Sequence, residues 1–400
     1  MGLNIRNNNF RNTLVFFFLT LIFFNVFGLA NIYPWREYGQ ITDKLTLLFS
    51  LLLFLYITFC KSTFNREVLD LELAFALFAG VYLFSHIYNK NFESNIALLI
   101  LLSTFVFIIT LMKIKWENVH LIVFGHISMV FVMWFFIHWI YSGTPMVRYM
   151  AIFNNSNVLA IFLFCLLYFK IVNLHFSNKW LKLYFFTGLL LNILLIYFST
   201  SRTVLISVVI VFLSILVLSI SKKIFSFLFY FVMSMNLVFV TLYLYFADSP
   251  YSSYLNMLSM QYVHKRFFTG REEIWGAVFE FGISSPLIGH RVGIQLKEYL
   301  KNSLYDHAHN QYLQILVESG FLGLTVFLII LYMIWKQYLK NLDSHLVKWS
   351  ASFFIAILFY QNIELSLFIH FPSIGYLQWL IISIGVSSAI RDKSTKRLRL

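Results

Sequence analysis

Charge is what this 400-residue chain has least of: 12% of its residues are Asp, Glu, Lys or Arg, while 60% are hydrophobic. A soluble globular domain carries roughly twice that share of charge, and the mean hydropathy of +0.77 excludes one. Acid is scarcer than base, with 17 carboxylates against 30 Lys and Arg. No Asp-rich motif suggests a divalent ion, so neither a metal nor a cofactor is expected. The two cysteines, Cys60 and Cys165, sit in or at the end of apolar runs and give no disulfide framework and no metal spacing. The one long loop, about 247–310, has no Gly/Ser linker and no low-complexity run, and the chain shows no internal repeat of the kind many secondary transporters carry. The apolar stretches lack polar alternation, which excludes a β-barrel. The formal charge of +13 is spread as punctuation between those stretches instead of forming one stripe, which argues against a nucleic-acid partner.

What the chain does have is apolar runs of about 18 residues or more from end to end, each long enough to cross roughly 30 Å of hydrocarbon. The fold class is therefore an all-α polytopic membrane protein, read as one integral membrane domain over 1–400. Twelve spans are expected, at about 12–31, 45–60, 70–88, 95–112, 119–141, 157–171, 183–200, 203–221, 224–246, 311–335, 349–369 and 374–390. The first run follows Arg6 and Arg11 without a clear small-x-small cleavage site and is read as a retained anchor. Placing both termini inside the cytoplasm puts nineteen of the thirty basic residues, Lys170 among them, on the inner side. The short outer segments then hold Arg36, Lys44, Lys90, Arg148 and Arg202. The remaining six (Lys265, Arg266, Arg271, Arg291, Lys297 and Lys301) lie in one long extracytoplasmic loop, about 247–310, and weigh little in this rule. Within that loop Glu272 to Gly282 reads as a short helix with Ile274, Trp275, Val278 and Phe279 on its apolar side, ended by Pro286.

The most informative stretch runs from Tyr305 to Leu324: an acid and two histidines, then an apolar helix holding one carboxylate. Asn310 is a natural N-cap. His307 and His309 then stand beside the helix N-terminus, either as an anion-holding site or as a loop merely facing water. Two histidines two apart are poor evidence for zinc. Glu318 lies roughly 12 Å along the helix at 1.5 Å per residue, a depth that suits a partner for an arginine or a helix-packing polar group. Arg202, in Ser199-Thr200-Ser201-Arg202-Thr203, stands between two apolar runs and either snorkels to headgroups or binds an anion inside. Thr269-Gly270-Arg271-Glu272-Glu273-Ile274-Trp275 leads to Ser285-Pro286-Leu287-Ile288-Gly289 and then His290-Arg291. Asn154-Asn155-Ser156-Asn157 opens the sixth span as a cap or a substrate contact. Gln361, Asn362, Glu364 and His370 cluster at the eleventh span, as interhelical hydrogen bonds or an acceptor-cavity lining.

Taken together, Ala308-His309-Asn310-Gln311-Tyr312-Leu313 with Glu318-Ser319-Gly320 and Gly323-Leu324, the Thr-Ser-Arg-Thr element and the Gly-Arg-x-x-x-Trp…Pro-Leu-x-Gly element resemble the O-antigen ligase and polymerase superfamily. The resemblance spans roughly 150–330. It implies a GT-C-like membrane glycosyltransferase, inverting and metal-independent, that takes glycan from a polyprenyl-diphosphate carrier outside the inner membrane. By the same resemblance Arg202 and Arg271 bind the diphosphate and His309 is the candidate base, with His307 second; His307, Asn310, Arg291 and Glu318 are the supporting candidates. His290-Arg291 departs from the family pattern, leaving Arg291 as a third phosphate contact or a surface charge. The implied partners are the lipid-linked donor, a glycan or lipid A-core acceptor, membrane lipid and, for a polymerase, a chain-length regulator. A polymerase is slightly favoured over a ligase, and a flippase of the same lipid-linked glycans is the rival from another class.

Overall fold

The computed structural model describes residues 2–60, 66–90, 94–263, 266–268, 270–299, 306–368, 370 and 372–397. Lys265, Thr269, Lys301 and Tyr305, named above, lie outside the described residues. The helices are α1 (Gly2–Phe24), α2 (Trp35–Cys60), α3 (Arg66–Tyr88), α4 (Asn95–Lys113), α5 (Asn118–Tyr141), α6 (Ser156–Phe176) and α7 (Lys179–Ser199). They continue as α8 (Arg202–Ile220), α9 (Lys222–Ala247), α10 (Ser252–Val263), α11 (Arg271–Ser284), α12 (Gln311–Leu339), α13 (His345–Tyr360) and α14 (Pro372–Arg397). Among the described residues there is no strand, only an isolated bridge between Ala30 and Phe153.

Among the described residues ten helices are long and apolar enough to cross a membrane, and two more apolar helical stretches, Thr13–Leu29 and His345–Tyr360, are shorter. The chain is an all-α polytopic membrane protein. Leu52, Leu77, Leu99, Val130, Leu216 and Phe231 are exposed on the flanks of the bundle. Such a girdle is stable only against hydrocarbon. At the centre, α6 is buried at every position from Leu159 to Asn173. That stretch includes Lys170, which the charge tally had placed among the inner-face cations. Its ammonium donates to the Ser128 hydroxyl at 3.2 Å and to the carbonyls of Leu166 and Ser128 at 3.3 and 3.4 Å. Those acceptors hold a polar group that α5 and α6 enclose.

Helix ends follow local chemistry. Asn155, Asn178 and Ser221 each accept a backbone N–H of the turn they open, as N-caps do. Asn155 is thereby the cap of α6. The spans expected at 45–60 and 157–171 are longer than their apolar cores suggested, at Trp35–Cys60 and Ser156–Phe176.

Two expected helices are interrupted. The eleventh span was expected to reach residue 369, but α13 stops at Tyr360. Beyond it Gln361 takes the Ser366 N–H at 3.1 Å and donates to the Ser366 hydroxyl at 2.9 Å. These side-chain bonds replace the helical ladder and fold 361–368 into a buried turn-rich connection. α12 is broken at Gly320, whose φ of 65° and ψ of −167° are not helical. The N–H groups of Phe321 and Leu322 turn instead to the carbonyls of Pro286 and Leu287, at 2.7 and 3.1 Å. The Pro-Leu-x-Gly turn is therefore the plug that satisfies the break. A Cβ on Gly320 would lie 2.3 Å from the Leu287 carbonyl carbon, and one on Gly289 2.5 Å from the Ser319 nitrogen. Both glycines also have positive φ, which side chains resist.

Of the loop, α11 packs on α9 and α12 through buried Ile274, Trp275 and Val278. Phe279, expected on that apolar side, points out instead and is 43% exposed. The helix ends at Ser284, just before Ser285-Pro286. α10 was not anticipated. The bundle thus has a site face, where α12 begins and α13 ends, and a far face, where α4 meets α5 and α12 meets α13.

Candidate active site at the start of α12

Asn310 caps α12 as expected, its Oδ1 accepting from the N–H groups of Tyr312 and Leu313 at 3.0 and 3.1 Å. The Gln311 N–H is taken by the Gln361 carbonyl at 3.0 Å, and the Gln314 N–H by the Asn310 carbonyl at 3.0 Å. This overturns the reading of the helix start as an anion cradle, because the free N–H groups such a site needs are already bonded. Asn310 also donates to the Asn362 carbonyl at 2.9 Å, tying α12 to the connection after α13.

That connection carries Glu364 into the site. One carboxylate oxygen accepts from the Arg271 guanidinium at 2.6 Å, and the other meets His309 Nδ1 at 2.9 Å. Three segments that are distant in sequence meet in these two contacts. Arg271 is the first residue of α11, entered through Gly270 at φ 87°. His309 has φ 48°, a region that non-glycine residues occupy at a cost and that is concentrated at functional sites. The side chains of Arg271, Glu364 and His309 are 25%, 11% and 26% exposed, so the group is mostly enclosed yet reachable.

The loop that presents His309 is pinned from both sides. The Ala308 carbonyl accepts from the buried Trp275 indole at 2.9 Å, and its N–H donates to Gln314 at 3.0 Å. The tryptophan of the Gly-Arg-x-x-x-Trp element is thus a support for the histidine loop. The His307 ring lies 4.3 Å from that of His309 and 5.7 Å from that of His370. Burial, then the His309 and His370 rings, push the His307 pKa down to about 3. His307 is neutral at any physiological pH.

Glu318, expected to partner an arginine or to act as a helix-packing polar group, meets no arginine among the described residues. It accepts from Tyr82 at 3.0 Å, Gln314 at 3.0 Å and the Gly293 N–H at 3.2 Å, and lies 3.3 Å from His370 Nε2. Arg291 pairs with Glu298 inside the loop and lies over the Tyr299 ring, 5.5 Å from its centroid. His290 stacks on Phe281 at 4.0 Å, so this departure from the family pattern is spent on loop packing. Arg202 begins α8 and is exposed. No hydrogen bond joins it to Arg271, Glu364 or His309 among the described residues. The structure thus brings together Arg271, His309 and His307 and leaves Arg202 outside their contacts. Glu364, the carboxylate that links them, was expected only as one of a polar cluster that bonds between helices or lines an acceptor cavity. Its two partners lie 93 and 55 residues away, and no local pattern encodes them.

The Arg271–Glu364–His309 group thus lies at one end of a bundle of membrane-length apolar helices. Residues 187–328 match the family model described as O-antigen ligase. The match runs from α7 into α12, includes Arg202, Arg271, His309 and Glu318, and supports the resemblance to the O-antigen ligase and polymerase superfamily. Glu364 falls beyond it. No curated protein matches the chain.

Proposed function

We propose that the chain is an inverting membrane glycosyltransferase, in the first instance a surface-polysaccharide polymerase. It acts as one integral membrane unit of the inner membrane, termini inside and the site face outside. A hydroxyl of a lipid-linked acceptor unit attacks the anomeric carbon of a polyprenyl-diphosphate-linked glycan. The new glycosidic C–O bond forms as the C–O bond to the diphosphate breaks, and polyprenyl diphosphate departs. Glu364 accepts from His309 Nδ1, which leaves the Nε2 lone pair of the neutral ring to take the hydroxyl proton. The resulting imidazolium is stabilised by the same carboxylate, the role a buried carboxylate plays beside a catalytic histidine.

The Arg271 guanidinium spends one N–H on Glu364 and has further donors for phosphate oxygens as leaving-group charge develops. His307, held neutral, adds no repelling charge when His309 becomes protonated. Arg202 is proposed as a second diphosphate ligand, reaching in once the donor is bound. The observation that carries this reading is the Arg271–Glu364–His309 chain, with contacts of 2.6 and 2.9 Å.

A second reading, a ligase whose acceptor is a lipid A-core sugar, is favoured by the description of the matching family. The experiment that separates the two follows lipid-linked glycan in cells lacking the protein. Loss of chains beyond one repeat unit identifies a polymerase, and long chains stranded on the carrier identify a ligase. Normal chains on the final acceptor would refute both.

A further inference from the structure

The helix α10 is turned inside out. Over its 12 residues, Ser252–Val263, it carries no charged side chain. Ser252, Leu255, Asn256 and Ser259 recur at the helical period and are half-buried, with Leu258 at the margin. Asn256 Oδ1 accepts from the Phe268 N–H at 3.0 Å, and Leu255 packs against the cluster that holds Tyr243, Phe268 and Trp275. The stripe that faces the protein is therefore mostly small and polar. Tyr254, Met257, Met260 and Tyr262 are exposed instead, in company with the uncharged Ser253 and Gln261. A helix whose outer side meets water shows the opposite arrangement.

The place of α10 in the chain says what lies against that outer side. It follows α9, a helix of membrane-spanning length whose last turns expose Leu242 and Tyr245 on the lipid-facing flank. Only residues 248–251 separate the two helices, and they form a tight turn. The Ser249 N–H donates to the Phe246 carbonyl at 3.3 Å and the Ser252 N–H to the Ser249 carbonyl at 3.1 Å. The outer side of α10 thus begins where the lipid-facing flank of α9 ends, at the level of the bilayer where tyrosine is enriched. A helix of this length has little stability of its own in water, and an apolar surface against it supplies what is missing.

We propose that α10 is an interfacial helix whose Tyr/Met side beds into the headgroup and upper acyl region of the leaflet that α9 leaves. The partner is the phospholipid surface itself. With no charge on the helix, the seating rests on apolar burial and needs no anionic lipid. It ties the loop that leads to Arg271 to the membrane surface.

The test uses full-length protein lacking Cys60 and Cys165, in phosphatidylcholine nanodiscs that leave both faces accessible. Met257→Cys and Met260→Cys are each labelled with the environment-sensitive fluorophore NBD, and Asp343→Cys, at an exposed turn, is the aqueous reference. Melting temperatures check that each variant is folded, and the two α10 positions serve as independent readings. At both, emission is expected to be blue-shifted from that at residue 343. It should be lost when a lipid with a nitroxide near the headgroup end of its acyl chain is included, and kept when iodide is added. Iodide quenching equal to that at residue 343 would overturn the assignment. Protection from both quenchers would overturn it too, because a protein surface or a second copy of the chain would then cover the helix. The readout involves no glycan transfer, so it stands or fails apart from the proposed activity.

Discussion

Glu364 is the residue on which the proposed chemistry turns, because one of its carboxylate oxygens meets Arg271 and the other meets His309. Glu364→Gln keeps the shape but weakens both contacts. The expected result is a folded protein whose kcat for glycan transfer falls by on the order of 100-fold or more, with a much smaller change in donor KM. Steady-state kinetics on purified protein checks this. His309→Ala and Arg271→Lys are each expected to leave an inserted protein that transfers no measurable glycan, since lysine cannot span Glu364 and a phosphate as a guanidinium does.

His307 gives a pH signature. Its folded pKa of about 3 lies below the ordinary value of 6.5. The neutral ring therefore contributes stability that is complete above about pH 6.5 and is lost as pH falls from there toward 3. Thermal unfolding in detergent from pH 7 to 4 should fall less steeply for His307→Gln than for wild type. His309 and Arg271 were legible from their motifs. Glu364 was not, because a carboxylate in an apolar run announces only that it needs a partner, and its partners belong to other segments.

At the scale of elements, the break in α12 positions the site. Its first half, Gln311–Ser319, carries Glu318 and follows the His309 loop, and the break is held open by the Pro286–Gly289 turn. The composition gave the helices readily, since long apolar runs permit nothing else in a bilayer. It did not give the break, for a glycine inside an apolar helix is common and Gly323 in the same helix is not broken. Nor did it give the early end of α13, which depends on Gln361 and Ser366 bonding each other. Gly320→Ala combines a strained φ with a clash against the Leu287 backbone. It should cost about 2 kcal/mol or more, read as a lowered melting temperature and reduced yield of inserted protein.

Across the whole molecule, the two faces differ. The α12 entry and the α11 loop build the proposed reactive centre, while the far face carries the α4–α5 and α12–α13 turns. The positive-inside reading places the first outside the cell membrane and the second in the cytoplasm. The fold class and the approximate spans were legible, because membrane insertion is written in composition, while the polarity rests on the spacing of Lys and Arg alone. The meeting of α11, α12 and the connection after α13 was not, since it depends on packing among distant segments. In a variant lacking Cys60 and Cys165, cysteine placed at Met146, an exposed site-face loop position, should react with a membrane-impermeant maleimide in intact cells with the outer membrane opened. Cysteine at Asp343 should react only after lysis.

The most direct measurement is transfer by the purified protein in lipid vesicles supplied with polyprenyl-diphosphate-linked glycan, comparing wild type with His309→Ala. The account predicts that wild type releases polyprenyl diphosphate and forms a longer or relocated glycan. The variant should still bind the donor and release none. Turnover by His309→Ala at the wild-type rate would contradict it.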